Sequence, residues 1–300
     1  MYDPVYARAQ LAAAELNVHV AEGLCQLFER PDVQGVLILD SVWQGLVPAR
    51  LACEHRKPAF LGGSLGDDVA VIRELHQRSQ HADVLLMTEF SRRHTPSTNR
   101  LRELTATRLG AVRRITVSAP LPPEDTTEAL PGQRARMDLL VGLLDWCVYL
   151  TGRVPATVCG SMLSASEHGH SGWKVELGFR RGANETIGSV AEIVILDESS
   201  GGSEAAAAAA PHHAVECERG QATTSHPTEI SWMNGAETKS ESLVADRSEA
   251  EVMLDKFCRR LVGGVVPAAD VLDVCRALAL ARAAEQSLQL GQPVAAPWEF

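Results

Sequence analysis

The first third of the chain alternates strand-type and helix-type segments, and this alternation constrains the fold more than any other feature. Gly35-Val36-Leu37-Ile38-Leu39 is an unbroken apolar run that follows the turn signal Arg30-Pro31-Asp32. Such a run suits a parallel strand with both faces covered. Further strands are expected at Asn17–Val20, Ala59–Leu61 and Val84–Met87. Helical patterns separate them at Val5–Leu16, Glu22–Glu29, Leu46–His55, Asp67–Gln80 and Pro96–Thr107. Strands and helices taking turns at this spacing predict βαβ units and a parallel sheet.

After Val112–Val117 the pattern changes. Pro120, Pro122, Pro123 and Gly132 mark a linker-like loop, and Met137–Leu150 reads as a strongly apolar helix stopped at Thr151-Gly152. Ala156–Ser164, Trp173–Phe179 and Thr186–Leu196 read as strands separated by turn residues, which suits an antiparallel sheet. Ser199–His213, with six consecutive alanines, reads as a low-complexity loop, and Ser248–Val262 and Asp270–Leu290 as two closing helices. The expected class is α/β: an incomplete Rossmann-like parallel-sheet domain over 1–118, then an α+β open-sheet domain over 119–300 with a low-complexity loop at 199–213.

Composition narrows the function classes. A chain of 300 residues suits two cores rather than one. The net charge of −10, with no basic stripe, argues against a nucleic-acid partner. Apolar runs fall short of the ~18 residues a membrane span needs, and the N-terminus shows no signal-peptide pattern. The seven cysteines are scattered singly with no CxxC pair, so reduced thiols and a cytoplasmic location are expected.

Several phrases, in order, resemble the glucose–fructose oxidoreductase and inositol dehydrogenase family (Gfo/Idh/MocA). Asp32–Leu39 resembles its "DPDVDAVVIAT" strand, and Met87–Pro96 its "VGFNRRFxP" segment. Leu109–Arg114 resembles "LGEVRRV", and Asp270–Val294 the closing helix with its "GRPV" tail. The resemblance implies a dinucleotide-binding N-terminal domain and a sheet-based substrate domain that often forms the oligomer interface. It also implies hydride transfer between NAD(P) and a sugar, polyol or related alcohol.

Residue by residue, the resemblance departs from that chemistry. A dinucleotide loop needs G-x-G-x-x-G so that backbone can approach the pyrophosphate, and the motif occurs nowhere in the sequence. The similarity starts near the family's second strand, where Asp3 would match the acidic residue that holds the ribose hydroxyls; Asp3-Pro4 also reads as a plain helix start. Gly62-Gly63-Ser64-Leu65-Gly66 is glycine-rich and opens a helix, but Asp67 and Asp68 would cap that helix and repel a phosphate. The family's catalytic "EKP" falls on Gly62-Gly63-Ser64, so the lysine is a glycine, and Lys57 sits at the opposite end of that strand. The family's D-x-x-x-H falls on Asp138-Leu139-Leu140-Val141-Gly142, so the aspartate is present and the histidine is a glycine. Asp145 matches a further acidic or amide position. Asp138 and Asp145 read either as remnant ligand-binding carboxylates or as structural residues. Arg92 and Arg93 read either as clamps for an anionic ligand facing an interdomain cleft or as salt-bridge residues.

Two histidine pairs, His168 with His170 and His212 with His213, lack metal-ligand spacing and read as loop residues, so no metal is expected. No nucleophile elbow is present. In a doubly wound sheet the first strand is central, so without it Val36–Leu39 is an apolar edge that needs another element, a partner chain or residues upstream of Met1 to cover it. The combined expectation is a pseudoenzyme of the oxidoreductase fold that binds no cofactor. It would serve as a ligand-binding or partner subunit, as a homo-oligomer or beside an active paralogue. The alternative is a working oxidoreductase with altered residues, using NAD or NADP.

Overall fold

In this computed structural model, the structure describes residues 1–39, 44–121, 131–164, 172–180, 187–196, 212–235, 237–266 and 268–297. The chain divides into two compact units, Met1–Glu89 with Asp255–Leu272, and Phe90–Leu254 with Asp273–Phe300. This division differs from one at residue 118. The segment 90–118 belongs with the second unit because its strand is hydrogen-bonded into the larger sheet.

The first unit is built on three parallel strands in sequence order: β1 (Val36–Ile38), β2 (Ala59–Leu61) and β3 (Leu86–Thr88). Helices α1 (Tyr6–Leu16), α2 (Leu24–Glu29), α3 (Val47–Glu54) and α4 (Val69–Ala82) accompany them. β2 and β3 are buried throughout, as apolar parallel strands should be. α4 turns Ile72, Leu75 and Ser79 inward at helical spacing and starts on Asp68, whose carboxylate accepts from Ala70 N and Val71 N. Lys57 donates to the carbonyls of Arg30 (2.7 Å) and Val33 (2.6 Å), which ties the approach to β1 to the foot of β2.

Two expectations for this unit are corrected. β1 is not covered on both faces: Leu37 is 45% and Leu39 69% exposed, and among the described residues β1 pairs only with β2. Residues 17–20 form no strand. Asn17 closes α1 in the left-handed conformation, and the next backbone groups bond Met1 instead, His19 O accepting from the Met1 amine and Ala21 N donating to Met1 O. Asp3 accepts from Val5 N (2.7 Å) and Arg8 Nε (3.2 Å), so it is engaged in starting α1.

The second unit holds a nine-stranded mixed sheet in the order β11-β10-β9-β8-β4-β7-β6-β5-β12. Its strands are β4 (Val112–Pro120), β5 (Pro155–Leu163), β6 (Gly172–Arg180), β7 (Ile187–Leu196), β8 (His212–Cys217), β9 (Gln221–His226), β10 (Glu229–Asn234), β11 (Glu237–Ser242) and β12 (Val294–Ala295). β4 and β7 are parallel, and the other pairs are antiparallel. The four strands from 212 to 242 were not expected from sequence, although Ile230 and Trp232 alternate inward on β10 at the strand period. His212 and His213 therefore belong to a strand rather than a loop, while 199–211, His168 and His170 lie outside the described residues.

Helix α5 (Pro96–Leu104) runs into a π-helical turn, Thr105–Leu109. Helix α6 (Pro131–Thr151) packs on β4 and β7 through Leu140, Leu143, Leu144 and Cys147, all fully buried. Helices α7 (Glu249–Leu261) and α8 (Val271–Leu290) close the chain. No described helix is long and apolar enough to cross a membrane.

α8 lies close on β5. A Cβ at Gly160 would stand 2.2 Å from the Ala284 carbonyl oxygen, and the buried Ser287 hydroxyl accepts from Gly160 N (3.0 Å) while donating to Gln292 O (2.7 Å). Gly160→Ala should therefore cost about 2 kcal/mol through forced separation of helix and strand. It would be read as a lower urea midpoint than that of the wild-type protein.

Candidate functional site

The second unit gathers most of the functional candidates around one end of α6. Arg93 lies in a 3-10 turn, Ser91–His94, and reaches the buried carboxylate of Asp145 on α6 with two parallel bonds, Nε to Oδ2 at 2.8 Å and Nη2 to Oδ1. Its third nitrogen donates to Asp273 in the first turn of α8 at 3.2 Å. The guanidinium also lies 5.1 Å from the ring centres of both Phe90 and Tyr149. Burial alone would lower the Arg93 pKa, but the hydrogen bonds and charges of Asp145 and then Asp273 hold it above its ordinary value. Burial lifts the Asp145 carboxyl to about 6 against the pull of Arg93, so it is ionised at neutral pH. A cavity of about 290 Å³ opens beside this cluster, with Tyr149, Arg153 and Arg276 also in its wall.

Asp138 stands apart from both cavities described here. Its side chain is 42% exposed and lies 3.9 Å from Arg134 one helical turn earlier. One turn beyond Asp138, Gly142 faces Arg92: a Cβ there would sit 3.9 Å from the Arg92 Nε. The Arg92 guanidinium has no hydrogen bond or ion pair with any described residue, and burial lowers its pKa.

Arg92 lines a second cavity of about 120 Å³, walled by Thr98 and Trp146, by His213 and Thr224 of the β8–β9 hairpin, and by Pro227. His213 Nδ1 lies 3.2 Å from Thr224 Oγ1, and its ring centre is 4.9 Å from that of Trp146. Burial first, then Arg92 and His212, pushes His213 down to about 4, so it is neutral at pH 7. Sequence reading missed Asp273 and this use of His213. Asp273 is distant in the chain, and His213 follows an alanine-rich stretch that hides the strand it begins.

The glycine-rich turn after β2 does not suit a pyrophosphate. Its N–H groups already have acceptors: Gly63 N donates to Glu89 Oε2 (2.9 Å) and Gly66 N to Ser64 Oγ (3.3 Å), while Asp68 takes the first turn of α4. Two carboxylates therefore stand where phosphate oxygens would need donors.

A parallel α/β unit and a mixed open sheet carrying α6 on one face define a class, the two-unit oxidoreductase fold. The chain has the fold of the Gfo/Idh/MocA-type oxidoreductases, in agreement with the phrases in its sequence. It is similar to aldose-aldose oxidoreductase from Caulobacter crescentus, solved with glycerol, at 16% identity and TM-score 0.81 over 98% of this chain and 90% of that one. It is similar to UDP-N-acetylglucosamine 3-dehydrogenase from Acidithiobacillus ferrooxidans at 17% identity and TM-score 0.77, covering 96% and 89%. An oxidoreductase from Agrobacterium radiobacter, solved with NAD+, L-tartaric acid and magnesium, matches at 15% identity and TM-score 0.76 over 98% and 89%. No family model matches the chain, and no curated protein does.

Arg93→Met would leave Asp145 buried without its guanidinium, at a cost of about 3–5 kcal/mol near neutral pH. The folded-state pKa of Asp145, already above its ordinary 3.8, would rise further. A raised carboxyl pKa penalises folding above the folded value, and the penalty fades as pH falls toward the unfolded one. The gap in urea midpoint between wild type and variant should be widest at pH 8 and narrower at pH 5. An equal gap at both would contradict this account.

Proposed function

We propose that this chain is a small-ligand-binding protein on the Gfo/Idh/MocA-type fold and does not carry ordinary NAD(P)-dependent hydride transfer. The observation that carries this is the α6 face at Gly142, where the neighbouring group is the Arg92 guanidinium. Oxidising an alcohol requires a group that accepts the hydroxyl proton. A guanidinium stays protonated and cannot accept one. Asp138, one turn away, is solvent-exposed beside Arg134. The occupied N–H groups of the Gly62–Gly66 turn support the same reading, as does the glycine at position 63 where the family has its lysine.

In this reading the Arg93–Asp145–Asp273 cluster shapes a polar ligand cavity, with Asp138 as a further remnant carboxylate. The chain acts as a homo-oligomer or beside an active paralogue, and the exposed Leu37 on β1 and Leu39 just after it support association. Seven unpaired cysteines support a cytoplasmic location. A second reading is a working oxidoreductase on a sugar, polyol or related alcohol, with NAD or NADP. It is favoured by fold neighbours described with NADH, such as levoglucosan dehydrogenase, at 13% identity and TM-score 0.77 over 99% of this chain.

Calorimetry with NAD(H) and NADP(H) on the full chain separates the two. No saturable heat up to roughly 1 mM cofactor is expected. Micromolar binding accompanied by alcohol-dependent reduction of NAD or NADP would overturn the proposal in favour of the oxidoreductase.

A further inference from the structure

We propose that the cavity between α6 and the β8–β9 hairpin binds a small oxyanion, a carboxylate or phosphate, clamped by Arg92 and oriented by His213 and Thr98. This goes beyond the reading above and holds whether or not the chain transfers hydride.

A partly buried guanidinium that meets no carboxylate is costly, because desolvation is not repaid by a partner. Arg92 is such a group: no described residue pairs with it, and it lines the cavity directly. The acidic group that acts on its charge is the Cys147 thiol, which burial pushes above its usual range and keeps neutral. The positive charge is therefore uncompensated among the described residues, and an anion in the cavity would compensate it.

The other polar groups add donors. His213 places Nδ1 against Thr224 Oγ1 and leaves Nε2 buried with no partner. In the neutral tautomer whose Nδ1 accepts from the Thr224 hydroxyl, Nε2 carries the hydrogen and can donate to an anion. Thr98 Oγ1 accepts from Trp146 Nε1 (2.9 Å) and from Thr95 Oγ1 (2.9 Å). With both lone pairs engaged, the Thr98 hydroxyl is left to donate. Arg92, Thr98 and His213 thus border a cavity whose wall includes no carboxylate among the described residues.

Size and shape limit the ligand. A volume of about 120 Å³ holds roughly six heavy atoms, the size of phosphate or a three-carbon hydroxy acid. Trp146 and Pro227 supply apolar surface against which a short carbon skeleton would rest. Gly142 leaves the space beside Arg92 open, where a larger side chain would crowd the guanidinium.

The test is calorimetry on the full chain without cofactor, in low-chloride buffer, with potassium phosphate and potassium D-glycerate as separate probes. Saturable binding of at least one probe is expected, weakened roughly 10- to 100-fold in Arg92→Met and retained in part by Arg92→Lys. The tighter probe distinguishes a phosphate from a carboxylate site. Absence of saturation by either probe up to roughly 20 mM, or unchanged affinity in Arg92→Met, would overturn the proposal. If Arg92→Met does not fold, the wild-type protein decides: the anion must slow phenylglyoxal labelling of Arg92, and equal labelling with and without it rejects the site. Because no cofactor is present, this outcome is separate from that of the NAD(H) titration.

Discussion

The second unit depends on one ion-paired cluster. Arg93 joins three segments that are far apart in sequence: its own 3-10 turn, Asp145 in the middle of α6, and Asp273 at the start of α8. The carboxylate of Asp145 is 4% exposed, so it is tolerable in this position only while the guanidinium meets both of its oxygens. The aromatic rings of Phe90 and Tyr149 flank the same guanidinium and shield it from water. The cavity next to it inherits its shape from this arrangement, since separating the Arg93 turn from α6 would leave the buried Asp145 charge without its guanidinium.

Adjacent arginines have opposite circumstances. Arg93 is held by two carboxylates, while Arg92 lines a different cavity and meets no carboxylate among the described residues. The difference follows from the turn they share, which sends consecutive side chains in different directions. One arginine becomes part of the architecture, and the other lines a cavity. The glycine at position 142 is linked to the second case, because it leaves room for the Arg92 side chain on the face of α6 where a histidine would otherwise project.

Stability and chemistry are separable in this chain. The large sheet, with β4 and β7 parallel at its centre and α6 and α8 packed around it, retains a buried apolar core of ordinary kind. Where the sequence resemblance leads one to expect a lysine and a histidine, the chain has Gly63 and Gly142, and the carboxylates of Glu89 and Asp68 accept from the backbone N–H groups of Gly63 and of the first turn of α4. A fold survives such replacements because its free energy resides in apolar burial and backbone pairing rather than in the site.

The sequence alone determined the strand–helix alternation of the first unit, the long apolar helix α6, the antiparallel strands β5 to β7 and the two closing helices. Each follows from local apolar periodicity, which is written in neighbouring residues. It also placed glycine at 63 and 142, where the family resemblance leads one to expect lysine and histidine. Tertiary structure alone decided that 17–20 would bond to Met1 instead of forming a strand, and that Leu37 and Leu39 would lie open. It also decided that 212–242 would add four strands to the sheet. The site divides in the same way. Asp145 and Arg93 were legible as candidates, but their pairing, the third partner Asp273, and the meeting of Arg92 with His213 arise from contacts across 52 to 180 residues of chain or more than 100. No local pattern encodes such contacts, because they exist only once the helices and the sheet have packed.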